Sequence, residues 1–275
     1  MSSSDPLTKN CSPLYQKDGH LYTHTSTITS TSPLSSLPPS IQSLFKPPSD
    51  TTPHVLTTPS TIFHAQGGGQ PSDTGTITCA SSRTAFHVHQ VRKVNDTAIL
   101  HMGVFDPTNS SFNAGQICQQ SIDVDKRVLH SRIHTAGHVL GLAINTLVKE
   151  GQLPPDIVDG KASHYPSAAF VEFSGLIPGT AKAMIQARVD DLVSQNLPVS
   201  IHFWSEERAR SECTGVLESF KSDGDGVRVV KIGGVGSYPC GGTHVGCLGD
   251  VGGVVVRGIK RQKGVSKIGY EVKEV

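Results

Sequence analysis

The sequence has no run of about 18 apolar residues, so no segment of it is an apolar helix long enough to span a membrane. Its opening, MSSSDPLTKN, lacks the apolar stretch of a secretory signal. The early Asp5 and the absence of arginine there are also poor for a mitochondrial leader, so the expected location is cytoplasmic. There is no excess of either charge: 24 basic residues face 23 acidic ones, a net +1. That excludes a polybasic mode of binding nucleic acid, though not a local basic patch. Internal repeats and heptads are absent as well. The six cysteines (Cys11, Cys79, Cys118, Cys213, Cys240 and Cys247) are scattered over a chain too long to need disulfide staples. They read as reduced thiols, with one available as a metal ligand.

What remains is 275 residues, 36% apolar and 17% charged, enough for one large domain or two medium ones with real cores. Glycine (28) and proline (17) favour a loop-rich β or α+β protein over a helical bundle. Histidine is plentiful at 13.

Ser, Thr and Pro fill 32 of the first 60 positions, and only six of those positions are charged. Leu14–Ile28 alternates well enough for strands around a turn near Asp18-Gly19. Residues 30–59 read as a long loop or insertion, a surface excursion with little to form a core. A short strand then runs into Gly67-Gly68-Gly69, and a second resumes near Gly75. Residues 84–104 read as two strands around Asn95-Asp96, and Ser110–Gly115 as a turn. Residues 1–125 are therefore expected to form a small β-barrel-like domain.

The character changes after Asp125. Arg127–Gly151 is helical, with an apolar stripe of Ala136, Leu140, Ala143, Ile144 and Leu147, stopped by Gly151 and Pro154-Pro155. Thr180–Asn196 is a second helix, with Thr180 as its cap and Ala181, Met184, Ile185, Val189, Leu192 and Val193 inward. Strands are expected in SAAFVEFSG, in PVSIHFWS, in VRVVKIGG and twice in Val251–Val275. Residues 126–275 are thus expected to be an α+β domain, with two or three helices on an antiparallel-rich sheet.

The chemistry lies in two spacings. His134 and His138 in HTAGH stand four apart, on one face of a helix. Cys240 and His244 in CGGTH stand four apart in a glycine-bearing stretch. Such Cys/His mixtures favour zinc, and the two pairs complete a tetrahedral set only if the fold joins them. Their separation excludes a classical zinc finger, and no Glu follows His134 as it does in HExxH proteases. Either pair alone is weak, since HxxxH arises by chance in a histidine-rich chain. Gly241-Gly242 strengthen the second pair by tightening the loop and aiming backbone N–H groups inward, where they suit an oxyanion. The triplet Gly68–Gln70 has the GGQ letters of peptide release factors, but theirs sits in a basic loop of another domain without a Cys/His set. A tight turn is the plain reading of the glycines.

GGGQPSDTG, then HTAGH, then CGGTH resembles the alanyl-tRNA editing protein family, free-standing relatives of the alanyl-tRNA synthetase editing domain, over roughly residues 60–275. The resemblance implies an editing deacylase that hydrolyses mischarged tRNA specific for alanine, chiefly seryl-tRNA and also glycyl-tRNA. It implies Zn2+ held by His134, His138, Cys240 and His244, and a glycine-rich motif at Gly67, Gly68, Gly69, Gln70, Asp73 and Gly75. Three departures stand out: Gly137 where the family often has another residue, FHAQ (Phe63–Gln66) before the glycines, and residues 30–59. A helical glycine costs about 1 kcal/mol against alanine, so a close contact is expected at Gly137. The chain is expected to be an editor without a synthetase's catalytic domain.

The reaction needs water, a polarised carbonyl and oxyanion stabilisation. Four simultaneous ligands would leave no open position, so three firm ligands and one exchangeable one are expected. Neither metal motif contains an Asp or Glu to act as base, which leaves a positioned water aided by the substrate's ribose hydroxyl. Gln70 is a candidate to donate to the substrate or organise the pocket, with Gly241 and Gly242 on the oxyanion. Thr135 and Thr243 are candidates to touch a serine hydroxyl, or else only to pack. Contacts to the tRNA acceptor end are sought at Arg257, Lys260, Arg261, Lys263 and Arg132, with Gly67–Gly69 and Asp73 beside the substrate. Neither membrane nor DNA is an expected partner. The alternatives are a zinc-stabilised tRNA-binding module without turnover, and a metallohydrolase of small esters.

Overall fold

Period-two alternation becomes sheet in the first part of the chain. The computed structural model describes residues 10–79, 83–94, 97–215 and 225–273. They divide into two compact units, one of residues 1–67 with 71–127, the other of residues 68–70 with 128–275. The expected turn at Asn95-Asp96 lies outside the described residues.

In the first unit, β1 (Thr23–Thr27), β2 (Ser30–Pro33), β3 (His54–Thr57), β4 (Gly75–Cys79), β5 (Ala85–Lys93), β6 (Ile99–Asp106) and β7 (Ile117–Ile122) form one sheet in the order β1-β7-β4-β5-β6-β3-β2. Every pairing is antiparallel. The sheet curls strongly yet stays open, with β1 and β2 at its edges, so it is barrel-like without being a closed barrel. Phe86, Val88 and Val91 all point inward from β5 because the β5/β6 register shifts between Val88 and Gln90. That bulge moves the inward face by one residue and keeps Val91 in the core. Phe63, Ile77, Phe86 and Phe105 centre the main core of the unit.

Residues 30–59 depart from the expected coreless loop. Their two ends pair as β2 and β3, and Leu34, Leu37, Phe45 and Val55 close over Leu100 and Met102 as a small second core. A few apolar side chains suffice there because the sheet supplies the other wall.

In the second unit, α1 (Val124–Lys149, whose first turn falls in the first unit) is buried almost all round between Ser131 and Leu147. It is therefore a core helix and not a surface one. Gly151, at φ 71°, ends the helix; its N–H meets Val148 O and that of Gln152 meets Leu147 O, a glycine-terminated helix end. Next come β8 (Val158–Ser163), β9 (Phe170–Ser174), α2 (Lys182–Ser194), β10 (Val199–Trp204), α3 (Glu206–Glu212), β11 (Val227–Ile232), β12 (Gly236–Pro239), β13 (Val254–Gln262) and β14 (Val265–Val272).

Two antiparallel sheets stand where one was expected: a four-stranded sheet β8-β9-β14-β13 and a three-stranded sheet β10-β11-β12. The architecture is α+β. Thr180 does not cap α2; a 3-10 turn over Gly179–Ala181 leads in, and Ala181 N–H is already bonded to Pro178 O. The inward face of α2 is as expected, with Ile185, Val189 and Leu192 buried in the core that α1 and the four-stranded sheet share. None of the six cysteines is joined in a disulfide. No described helix is long and apolar enough to cross a membrane.

Candidate metal centre

Three segments of the second unit build the site. α1 carries His134 and His138 one turn apart, with ring centroids 5.0 Å from each other. The loop after β12 carries Cys240 and His244, and Cys240 N–H is tied to Arg228 O on β11. The segment Gly68–Gln70 supplies the third wall. One ligand atom from each of His134, His138, Cys240 and His244 lies within 4.8 Å of the others. Cys240 Sγ is 3.3 Å from both His134 Nε2 and His244 Nε2. A tetrahedral zinc with bonds of about 2.0–2.3 Å holds its ligand atoms about 3.3–3.8 Å apart; the two sulfur–nitrogen pairs stand at that spacing, and a set spread over as much as 4.8 Å would close by about 1 Å at most to hold one such ion.

The surrounding hydrogen bonds turn the right nitrogens inward. Thr243 N–H can only donate, and it donates to Gln70 Oε1 at 3.0 Å. His134 Nδ1 meets the same oxygen at 2.7 Å and so carries a proton, which leaves Nε2 as the bare nitrogen facing sulfur. Gln70 Nε2 donates to Thr243 Oγ1 at 2.8 Å, and Thr243 Oγ1 also meets Ser131 Oγ at 2.8 Å. Thr135 Oγ1 donates to Ser131 O, accepts from Val245 N–H and receives His244 Nδ1 at 3.2 Å. His244 is thereby set like His134, with Nε2 inward.

His138 Nδ1 is buried without a hydrogen-bond partner, the kind of orphaned donor atom that a ligand set contains. Burial, then His164 and Arg228, push the His138 pKa down to about 3, so its ring is neutral and competent to ligate. Burial raises the Cys240 thiol pKa, while Arg228 and the Gly242 N–H, 3.4 Å from the sulfur, oppose that rise. A cation here would have to displace that proton.

Small residues make the approach possible. A Cβ on Gly242 would stand 2.4 Å from His134 Nδ1 and 2.7 Å from Gln70 Oε1. One on Gly137 would stand 2.5 Å from His164 Cε1 and 2.7 Å from the Tyr270 hydroxyl, which is the close contact expected there. Gly69, at φ 78°, would bring a Cβ to 2.6 Å from Ala162 O, so it accepts no side chain.

A cavity of about 220 Å3 opens beside the cluster, lined by His134, His138 and Cys240 together with Gly68, Asp159, His164, Tyr238 and Gly241. His244 is not among its lining residues. Gln70, Thr135 and Thr243 are fully buried and committed to the hydrogen bonds above, so they orient the histidines instead of touching the cavity. Gly242 N–H is spent on the Cys240 sulfur, whereas Gly241 lines the cavity.

Gly67 belongs to the first unit, and so does Asp73, which is buried in an ion pair with Arg127 and accepts from His64 N–H. Arg132 is buried, bonded to Val251 O at 3.0 Å and Lys273 O at 2.6 Å, and presents little to solvent. Arg257, Lys260, Arg261 and Lys263 stand exposed along the β13–β14 hairpin, with Arg257 paired to Glu271 at 2.6 Å.

The sequence reading missed His164, which stacks on His134 with centroids 4.1 Å apart and planes 21° apart. The Tyr270 hydroxyl donates to Ile133 O, so His164 Nδ1 donates to Tyr270 at 2.6 Å. It also missed Asp159 and Tyr238. No spacing pattern connects these residues to either motif.

Fold and site together define an α+β protein with a four-residue candidate metal centre beside a small cavity. Residues 227–268 match the family described as "Threonyl and Alanyl tRNA synthetase second additional domain". The chain is 31% identical over 208 residues to the alanyl-tRNA editing protein AlaX-M of Methanosarcina barkeri, covering 71% of this chain and 79% of that protein. It is 26% identical over 215 residues to AlaX-M of Methanosarcina acetivorans, covering 74% of this chain and 82% of that one. Against the alanine–tRNA ligase of Methanobrevibacter smithii the identity is 28% over 231 residues, 79% of this chain but 24% of the ligase. The chain belongs to the alanyl-tRNA editing protein family.

Proposed function

We propose that this protein is a zinc-dependent editing deacylase, hydrolysing seryl-tRNA and glycyl-tRNA specific for alanine in trans. The observation that carries this reading is the asymmetry of the candidate centre: His134, His138 and Cys240 line the cavity, and His244 does not. A purely structural zinc is enclosed by its ligands, whereas a catalytic one faces a space for substrate or water. The cavity is also small. Clefts for drug-sized ligands run to about 300–1,000 Å3, so about 220 Å3 suits a group the size of an aminoacyl ester better than a nucleotide.

Bound zinc would supply polarisation of a carbonyl or activation of water. The chain's own part is to hold the ligands and shape the reaction. Gln70 and Thr135 fix the ring orientations of His134 and His244. The Gly241 amide, on the cavity wall, would donate to a developing oxyanion. Asp159 is the single carboxylate on the wall among the described residues. Apart from it, proton transfer would fall to water and to the ribose hydroxyl of the substrate. Lys260, Arg261 and Lys263, exposed on the hairpin, would meet acceptor-stem phosphates.

A second reading, a zinc-stabilised tRNA-binding module without turnover, draws on the same four-ligand set, which can close around an ion. Deacylation of seryl-tRNA specific for alanine decides between them, with alanyl-tRNA beside it and His134→Ala as control. Rapid loss of serine, abolished in the variant, supports the deacylase. Bound zinc and retained tRNA without turnover would refute it and leave the module.

A further inference from the structure

Asp159 is a carboxylate in an unusual position. It lines the cavity beside the candidate metal centre, the lone acidic side chain there among the described residues. Asn145 Nδ2 donates to its Oδ2 at 2.9 Å and, at 3.2 Å, to the Tyr238 hydroxyl. Oδ1, equally shielded from solvent, has no partner. A buried carboxylate oxygen without a donor is costly, and a ligand N–H entering the cavity would remove that cost.

The surroundings favour a small cation. The Tyr238 ring lies 4.8 Å from the His138 ring and its hydroxyl shares the Asn145 Nδ2 donor with Asp159, so the carboxylate and the candidate metal centre have adjoining neighbours. The space exists because position 141 is glycine: a Cβ there would stand 2.6 Å from the Tyr238 hydroxyl and 3.7 Å from Asp159 Oδ1. Gly68, Gly160, Ala162 and Val171 supply further wall. One carboxylate is too few oxygen ligands for a hard metal ion, but its unpartnered Oδ1 suits an ammonium group, with the Asn145 N–H bracing Oδ2. Burial pushes the Asp159 pKa up to about 6, and an adjacent cation would draw it back down.

We propose that Asp159, held by Asn145, is an ammonium subsite that takes the α-ammonium group of the aminoacyl ester. This rests on the aminoacyl-tRNA reading above. The subsite positions the ester carbonyl at the candidate metal centre and discriminates against acylated amines. It reads the part shared by seryl and glycyl esters, and so leaves discrimination against alanine to other groups.

The test uses calorimetry on the full-length, zinc-loaded protein. The probe is 3′-(L-seryl)amino-3′-deoxyadenosine, whose amide resists turnover, and its comparison is the glyceroyl amide with hydroxyl in place of ammonium. The wild-type protein is expected to prefer the aminoacyl amide by about 10- to 100-fold, the range of hydrogen bonds to charged groups. Asp159→Asn is expected to erase that preference with zinc stoichiometry unchanged. Because the wild-type preference is itself a readout, the test stands even if the variant folds poorly. Equal affinity for the two amides, no binding of either, or a preference that persists in Asp159→Asn overturns the subsite.

Deacylation assays separate this outcome from the broader reading. An ammonium preference without turnover of seryl-tRNA refutes the deacylase and keeps the subsite. Equal turnover of seryl-tRNA and N-acetylseryl-tRNA refutes the subsite and keeps the deacylase.

Discussion

Replacing Gln70 by methionine tests whether the buried hydrogen bonds behind the cluster hold the histidines in place. The side chain is fully buried, and its Oε1 accepts from both His134 Nδ1–H and Thr243 N–H. Methionine fills nearly the same volume, so the cavity cost is small and the loss of acceptor is isolated. Two buried donors would be left unsatisfied at about 1–3 kcal/mol each, giving about 2–6 kcal/mol in all. At about 2–4 °C per kcal/mol for a unit of this size, melting should fall by several degrees at least. Zinc affinity should fall as well, by about 10- to 100-fold, because the His134 ring loses the partner that fixes its tautomer. Thermal unfolding of apo and zinc-loaded protein, with chelator competition for affinity, reads both numbers. A Gln70→Met protein within about 0.5 kcal/mol of wild type and of equal zinc affinity would refute the reasoning, because such changes are typical of surface positions.

Gly137→Ala should destabilise by up to about 2 kcal/mol: about 1 kcal/mol of helix propensity is gained, but about 1–3 kcal/mol is lost to contact with His164 and Tyr270. A rise in melting temperature would contradict the close approach. Asp73→Asn leaves Arg127 charged and buried without its partner, so a loss of about 3–5 kcal/mol is expected in denaturant titration, with zinc stoichiometry of the folded protein unchanged. Arg132→Ala should lower stability while leaving the salt dependence of tRNA binding as in wild type, because its guanidinium is bonded to Val251 O and Lys273 O. Lys260→Ala should reduce that log–log salt slope by about 1, and the reverse pattern in filter binding would exchange the roles of these two side chains.

The parts of the fold legible in the sequence were those whose periodicity runs uninterrupted. The α1 stripe and its glycine stop, the inward face of α2 and the closing strand β14 all carry a clean repeat. Strand β8 was not legible: its register against β9 shifts between Asp159 and Ala162, so the alternation that betrays a strand is broken where the cavity needs it broken. Strand β12 is four residues long, from Gly236 to Pro239, and both of its end residues normally argue against a strand. In residues 30–59 the apolar side chains are so diluted by serine and proline that their small core appears only once Leu100 and Met102 supply its other side.

The site divides along the same line. Ligand pairs four apart are local facts, legible from helix geometry for His134 and His138 and from the paired spacing for Cys240 and His244. The roles of the side chains between them are not local. Thr135 and Thr243, read in sequence as touching a serine hydroxyl or only packing, are buried, are not among the cavity's lining residues, and hold an imidazole or its amide partner. The residues that do reach the cavity, His164, Asp159 and Tyr238, come from β8, the turn after it and β12. Spacing reveals a ligand only when one element presents both members of a pair. A residue brought in singly by a bulged or four-residue strand leaves no pattern, and its chemistry becomes visible only as a buried oxygen lacking a donor, as at Asp159, or as a glycine that clears a path to it, as at Gly141.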